Sequence, residues 1–152
     1  MKNEADENKR EFEPIHIAIN GIDPAPQGSK RHVGGGRLIE VSKRCKPWRM
    51  AIVGACPSVS RPMDVPVAVS IVFRFARPKT HLTTNGQPRA NAPKQYTVKR
   101  NDIDKCCRST LDALVDGGVL QDDCFVVVLN ASKRYCLPYE PAGAIISVIP
   151  QY

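Results

Sequence analysis

Six aspartates, Asp102, Asp104, Asp112, Asp116, Asp122 and Asp123, fall between Arg100 and Cys124. From residue 15 onward the chain has only ten acids against nineteen Lys and Arg, so most of its negative charge sits in this one window. Crowded carboxylates repel one another unless something positive stands among them. A hard divalent cation such as Mg²⁺ answers that need, because it takes oxygen ligands through one or two carboxylates plus a substrate's phosphates. Asp102 and Asp104 are one residue apart at the extended start of a helical pattern, where alternate side chains point the same way. Asp122 and Asp123 follow that helix and a Gly117-Gly118 reversal, which brings the chain back toward the helix start if the short Val119 segment runs antiparallel to it. Pattern alone does not say which member of the pair faces inward. The plainer alternative is that these acids are helix caps and turn residues, positions aspartate favours anyway.

The elements that must position these groups are legible in part. Ile15, Ile17 and Ile19 alternate with polar or small residues as a half-buried strand. The stretch 22–37, with two prolines and four glycines, reads as irregular, a loop carrying Lys30, Arg31 and Arg37 within reach of a phosphate. Residues 38–41 read as a short returning strand. Ser42 is placed to cap a helix running to about Cys56, with Trp48, Ala51, Ile52 and Ala55 on one face. Lys43, Arg44, Lys46 and Arg49 crowd the start of that helix, the end its dipole makes unfavourable for cations. Either an external anion relieves this or the face is simply solvated.

Val67, Val69, Ile71, Phe73 and Phe75 mark the clearest strand. A long Pro/Asn/Thr-rich segment then carries Arg77, Lys79, Arg89 and Lys94 to Asp102; a loop of that length reads as a substrate-contacting flap. The next helix spans about 104–116, with Ile103, Cys107, Thr110, Leu111 and Leu114 inward. Asp104, Arg108 and Asp112 line a neighbouring face, Asp112 being placed for an intrahelical pair with Arg108. Phe125 to Leu129 reads as a strand covered on both faces. Lys133 follows it, and residues 144–149 close the sheet. The whole is a single α+β domain from residue 15, a mixed sheet packed on two helices, behind a flexible leader 1–14.

Charge narrows the partner. The chain carries +7 overall and +9 without its first fourteen residues, which favours a polyanion. The six cysteines show no Cys-x-x-Cys spacing and no histidine nearby, so they read as free thiols in a reducing cytoplasm rather than as disulfides or a zinc site. The charged N-terminus lacks a secretory apolar segment, and no apolar run approaches the ~20 residues needed to cross a bilayer.

The run Asp102-Ile103-Asp104, Arg108, Asp112-Ala113-Leu114, Asp122-Asp123 and Lys133 resembles the RusA family of phage-type Holliday junction resolvases. The likeness extends to Pro24–Arg31, to the Lys-Pro-Trp-Arg segment at 46–49, and to Arg77-Pro78-Lys79. It implies a homodimeric, Mg²⁺-dependent endonuclease (Mn²⁺ able to substitute) that nicks opposed strands of a four-way junction in a bacterial or phage-infected cytoplasm. It assigns the metal to Asp102, Asp104 and Asp123. Arg108 stands where the family often has Lys; a guanidinium forks onto phosphate but does not readily give up a proton, which favours phosphate positioning. Lys105 replaces the usual Asn and adds a cation near the scissile phosphate. The expected DNA-binding set is Lys30, Arg31, Arg37, Lys46, Arg49, Lys79, Arg89, Lys94, Lys105 and Lys133. Two other functions stay open: a basic nucleic-acid-binding module whose acids are structural, and a nuclease of the same chemistry on other branched DNA.

Overall fold

The computed structural model describes residues 11–28, 30–40 and 43–152. Strand β4 (Val67–Phe75) is the spine of a four-stranded sheet. It pairs antiparallel with β6 (Gly143–Pro150) and parallel with β5 (Val126–Tyr135), and β1 (Ile15–Asn20) closes the far edge, in the order β1-β6-β4-β5. Register puts Ile17, Ile146, Ile71 and Ala131 side by side across all four strands. The first three are buried, so the alternation along each strand becomes one continuous apolar layer.

Two helices cover that layer: α1 (Cys45–Ala55) and α2 (Ile103–Asp116). Trp48 is fully buried against Phe73, and its indole N–H donates to Thr110 Oγ1 at 3.2 Å, which ties the helices together. Parallel strands cannot be joined by a tight hairpin and need a crossover. Here the crossover from β4 to β5 is the long segment 76–102 followed by α2, which is why the acid-rich helix lies beside β5. The inward face of α2 is rotated slightly from the expected stripe. Cys106, Ser109 and Ala113 join Cys107, Thr110 and Leu114 in the core, while Ile103 and Leu111 are only partly buried.

Three expectations are corrected. Residues 22–37 are not wholly irregular: β2 (Lys30–His32) pairs antiparallel with β3 (Leu38–Glu40). Gly34, Gly35 and Gly36 all take positive φ and form the turn between them, so glycines that signal a loop instead build a hairpin. Helix α1 starts at Cys45 with Arg44 in the capping position and no side-chain cap, while Ser42 lies outside the described residues. Strand β5 is an edge strand, not a doubly covered one: Val127 is 60% and Leu129 43% exposed, and Val128 is exposed on the other face. It also runs further than expected, so Lys133 and Arg134 lie inside it.

Of the leader, residues 1–10 lie outside the described residues; Phe12 packs against the core beneath the Arg61 guanidinium. Among the described residues no helix is long and apolar enough to cross a membrane. Cys56, Cys106, Cys107, Cys124 and Cys136 are free thiols, and burial pushes the Cys106 thiol up to about 12 and raises Cys107, so both behave as small hydrophobes.

The connection from β5 to β6 is held by Glu140. Its carboxylate accepts from both Arg134 Nη atoms, at 2.6 and 3.0 Å, and from the Leu137 N–H at 3.0 Å. The Arg134 bond in particular depresses its pKa from 4.5 to about 2. A carboxyl depressed by folding stabilises the fold above its unfolded pKa, and that contribution disappears as pH falls through the folded value. Denaturation of the wild type and Glu140→Gln between pH 7 and pH 2 should therefore show a stability gap that is constant above about pH 5 and narrows from 4.5 towards 2.

Candidate active site

The start of α2 is fixed by Asn101. This residue is 2% exposed, and every polar group on it has a partner. Its Oδ1 accepts from Arg44 Nη2 at 2.9 Å, its Nδ2 donates to the Tyr96 hydroxyl, its carbonyl accepts from Lys133 Nζ at 2.8 Å, and its N–H reaches Val98 O at 3.2 Å. Asp102 follows in extended conformation at the capping position, where its carbonyl takes the first helical bond from Cys106 N. Its side chain caps nothing and instead lies 3.2 Å from Lys105 Nζ.

Asp104, Arg108 and Asp123 line one open trough of about 460 Å³ between α2 and the edge strand β5. Its apolar floor is Ile103, Cys107, Leu111, Leu129 and Ala131. Asp123 arrives there because the Gly117-Gly118 stop is followed by a clamp on Met63. Met63 N donates to Val119 O and Gln121 N donates to Met63 O, so the short segment runs parallel to residue 63 and hands the chain to β5. The two neighbouring acids then separate by role. Asp122 accepts from the Cys124 N–H at 2.8 Å, a bond that lowers its pKa and fixes the turn at Asp123–Phe125. Asp123 is the member on the trough.

Among the described residues no three His, Cys, Asp or Glu side chains stand together closely enough to share an ion. Two carboxylates on one solvent-open trough are nonetheless the donor set a Mg²⁺-like cation takes when water and phosphate oxygens complete its shell.

A protein-family model described as Endodeoxyribonuclease RusA matches residues 21–142. The chain belongs to the RusA endodeoxyribonuclease family. No individual curated protein matches it. The matched span runs from the end of β1 to the start of β6 and so contains α1, α2, β4, β5 and every acid on the trough. Membership makes the protein a nuclease acting on DNA, and the cations expected to bind DNA can be sorted in that light.

In this RusA-family chain Arg49 is not available as expected. It bonds Asp116 and lies 4.0 Å from Asp112, so the acid expected to pair with Arg108 has its ionic partner on α1 instead. Lys105 is engaged by Asp102, and Lys133 by the Asn101 carbonyl and the Tyr96 ring. Arg37, Lys46, Lys79, Arg89 and Lys94 are exposed, while the side chains of Lys30 and Arg31 lie outside the described residues. The expected flap is tied down at several points. Arg77 stacks on Tyr135 and donates to Pro93 O at 2.8 Å, His81 meets Tyr135 edge-on, and Tyr96 stacks on Phe75. Sequence reading missed Asn101 and Tyr96, whose roles depend on partners 32 to 57 residues away and on ring stacking. The only local sign was an amide placed directly before the acid pair.

Proposed function

We propose that this RusA-family nuclease resolves four-way DNA junctions by paired, Mg²⁺-dependent nicks. The carrying observation is the trough on which Asp104 and Asp123, from two separate segments, stand with Arg108. Asp104 and Asp123 would hold the ion, and Asp102 would join them on leaving Lys105. Bound there, Mg²⁺ (or Mn²⁺ in its place) supplies an activated water and stabilises charge on the phosphate. Arg108 forks onto the non-bridging phosphate oxygens and neutralises charge that grows as the bond to the leaving oxygen lengthens.

A homodimer is supported by the β5 edge, where an uncharged run of exposed Val127, Val128 and Leu129 would otherwise invite uncontrolled strand pairing. Two sites related by a two-fold axis match the two opposed strands of a junction, so paired nicks follow from symmetry. The test is a labelled four-way junction, a fork and a duplex, each incubated with Mg²⁺ or EDTA. Symmetric nicks on the junction, with Mg²⁺ only, are expected. Binding without nicks would replace this function by a nucleic-acid-binding one, and equal cutting of forks would move the substrate to branched DNA in general.

A further inference from the structure

Two cations reach the residue that precedes Asp102. Arg44 comes from the start of α1 and Lys133 from near the end of β5, and both donate to Asn101, at 2.9 and 2.8 Å. They cannot drift, because Asn101 is locked. Its amide is shared between Arg44 and the Tyr96 hydroxyl, and Tyr96 is itself stacked on Phe75 at 4.0 Å and packed edge-on to Tyr135. Bringing two like charges to one buried residue, Arg44 to its side-chain Oδ1 and Lys133 to its main-chain carbonyl, costs free energy, and the nearest acid in sequence, Asp102, is itself paired with Lys105. Arg44 is exposed, and its bond to Asn101 leaves the rest of the guanidinium for the non-bridging oxygens of a phosphate.

We propose that Arg44 and Lys133 form a preset phosphate clamp, held by Asn101 as a positioning residue, that grips the DNA backbone beside the phosphate to be cut. It rests on the nuclease reading above. The arrangement explains why cations crowd the unfavourable end of α1: Arg44 is there to meet an external anion. It also divides labour along the helix start, with Arg44 and Lys133 binding backbone on one side of Asp102 and Arg108 serving the scissile group on the trough.

Salt dependence of junction binding tests the clamp without any cleavage. Removing one cation from the DNA backbone lowers the slope of log K against log salt by about one. Fluorescence anisotropy on a labelled four-way junction in EDTA, from low to moderate salt, should show Arg44→Gln and Lys133→Gln each reducing the slope by about one, and the double variant by about two. Arg61→Gln removes an equal charge from a site paired with Asp64 and stacked on Phe12, and should leave the slope unchanged. Asn101→Ala keeps both cations but releases them; affinity at fixed salt should fall several-fold. Slopes for Arg44→Gln and Lys133→Gln equal to wild type would overturn the clamp, and wild-type affinity in a folded Asn101→Ala would overturn its positioning role. Should Asn101→Ala not fold, the charge variants decide alone. If the wild type shows no salt-dependent junction binding, it is the underlying junction-nuclease function that fails.

Discussion

Asp123→Asn should abolish junction cleavage, by about 10³-fold or more, while the variant binds the junction as tightly as the wild type or more tightly. The substitution keeps the shape of the side chain and removes one negative charge from a trough that Asp123 shares, among the charged groups of the described residues, with Asp104 and Arg108. On the proposed reading a hard cation would lose one of its carboxylate ligands, so chemistry suffers. The DNA backbone meets one fewer like charge, so binding does not. Asp122→Ala is the comparison one residue away, since an Asn there would still accept from the Cys124 N–H. Asp122 holds the turn through the Cys124 N–H, so its loss loosens Asp123 without removing a ligand, and a decrease of about tenfold is expected. Both residues are exposed, and even loss of the turn-capping bond costs only about 1 kcal/mol of stability. Single-turnover cleavage beside binding in EDTA checks the pair. Equal losses in the two variants would show that the turn, not the ligand, matters.

The acid constellation is legible in the sequence because it is local. Asp102 and Asp104 sit one residue apart, the amphipathic run of α2 follows, and Gly117-Gly118 ends it, so spacing alone places Asp104 and Arg108 on one face. Strand β4 is legible for the same reason, since its alternation has the period of the pleat. What fails is set by distant partners. An apolar run such as Val126–Leu129 looks the same in the centre of a sheet as at its edge, and only the order β1-β6-β4-β5 decides between them. Arg49 looks like a DNA contact because its acids, Asp112 and Asp116, lie on another helix. The glycines at 34–36 read as a loop rather than a hairpin because positive φ at each is a property of the turn they form. Asn101 shows in the sequence only as an amide before the acid pair; its importance lies in Arg44 and Lys133, brought from distant elements, together with Tyr96 and Val98 nearby.

The largest effect on stability should come from a single methyl group at the opposite edge of the sheet. Gly143 opens β6 opposite Asn20 of β1 with φ of 149°, a conformation that L-residues rarely adopt. A Cβ placed there would stand 2.6 Å from the carbonyl carbon of Ile19, nearer still to its oxygen, and 3.2 Å from Arg74 Nη2. The obstruction is backbone, so no rotamer change relieves it. Moving the Ile19 carbonyl would also break its 2.8 Å bond from Arg74, leaving a buried guanidinium short of a partner. Gly143→Ala is therefore expected to cost about 3 kcal/mol or more, a large share of the ~5–15 kcal/mol that holds a domain together. Gly86→Ala, with φ of 76° but nothing within 4 Å of the new methyl, carries the conformational cost alone and should lose only about 1 kcal/mol. Urea denaturation of the two variants separates clash from strain. The trough lies between α2 and β5, on the far side of β4 and β6 from this contact, so the folded fraction of Gly143→Ala should still cut at the wild-type rate. A similar stability loss in both variants would mean the β1–β6 edge yields to the methyl, and that Arg74 does not pin it.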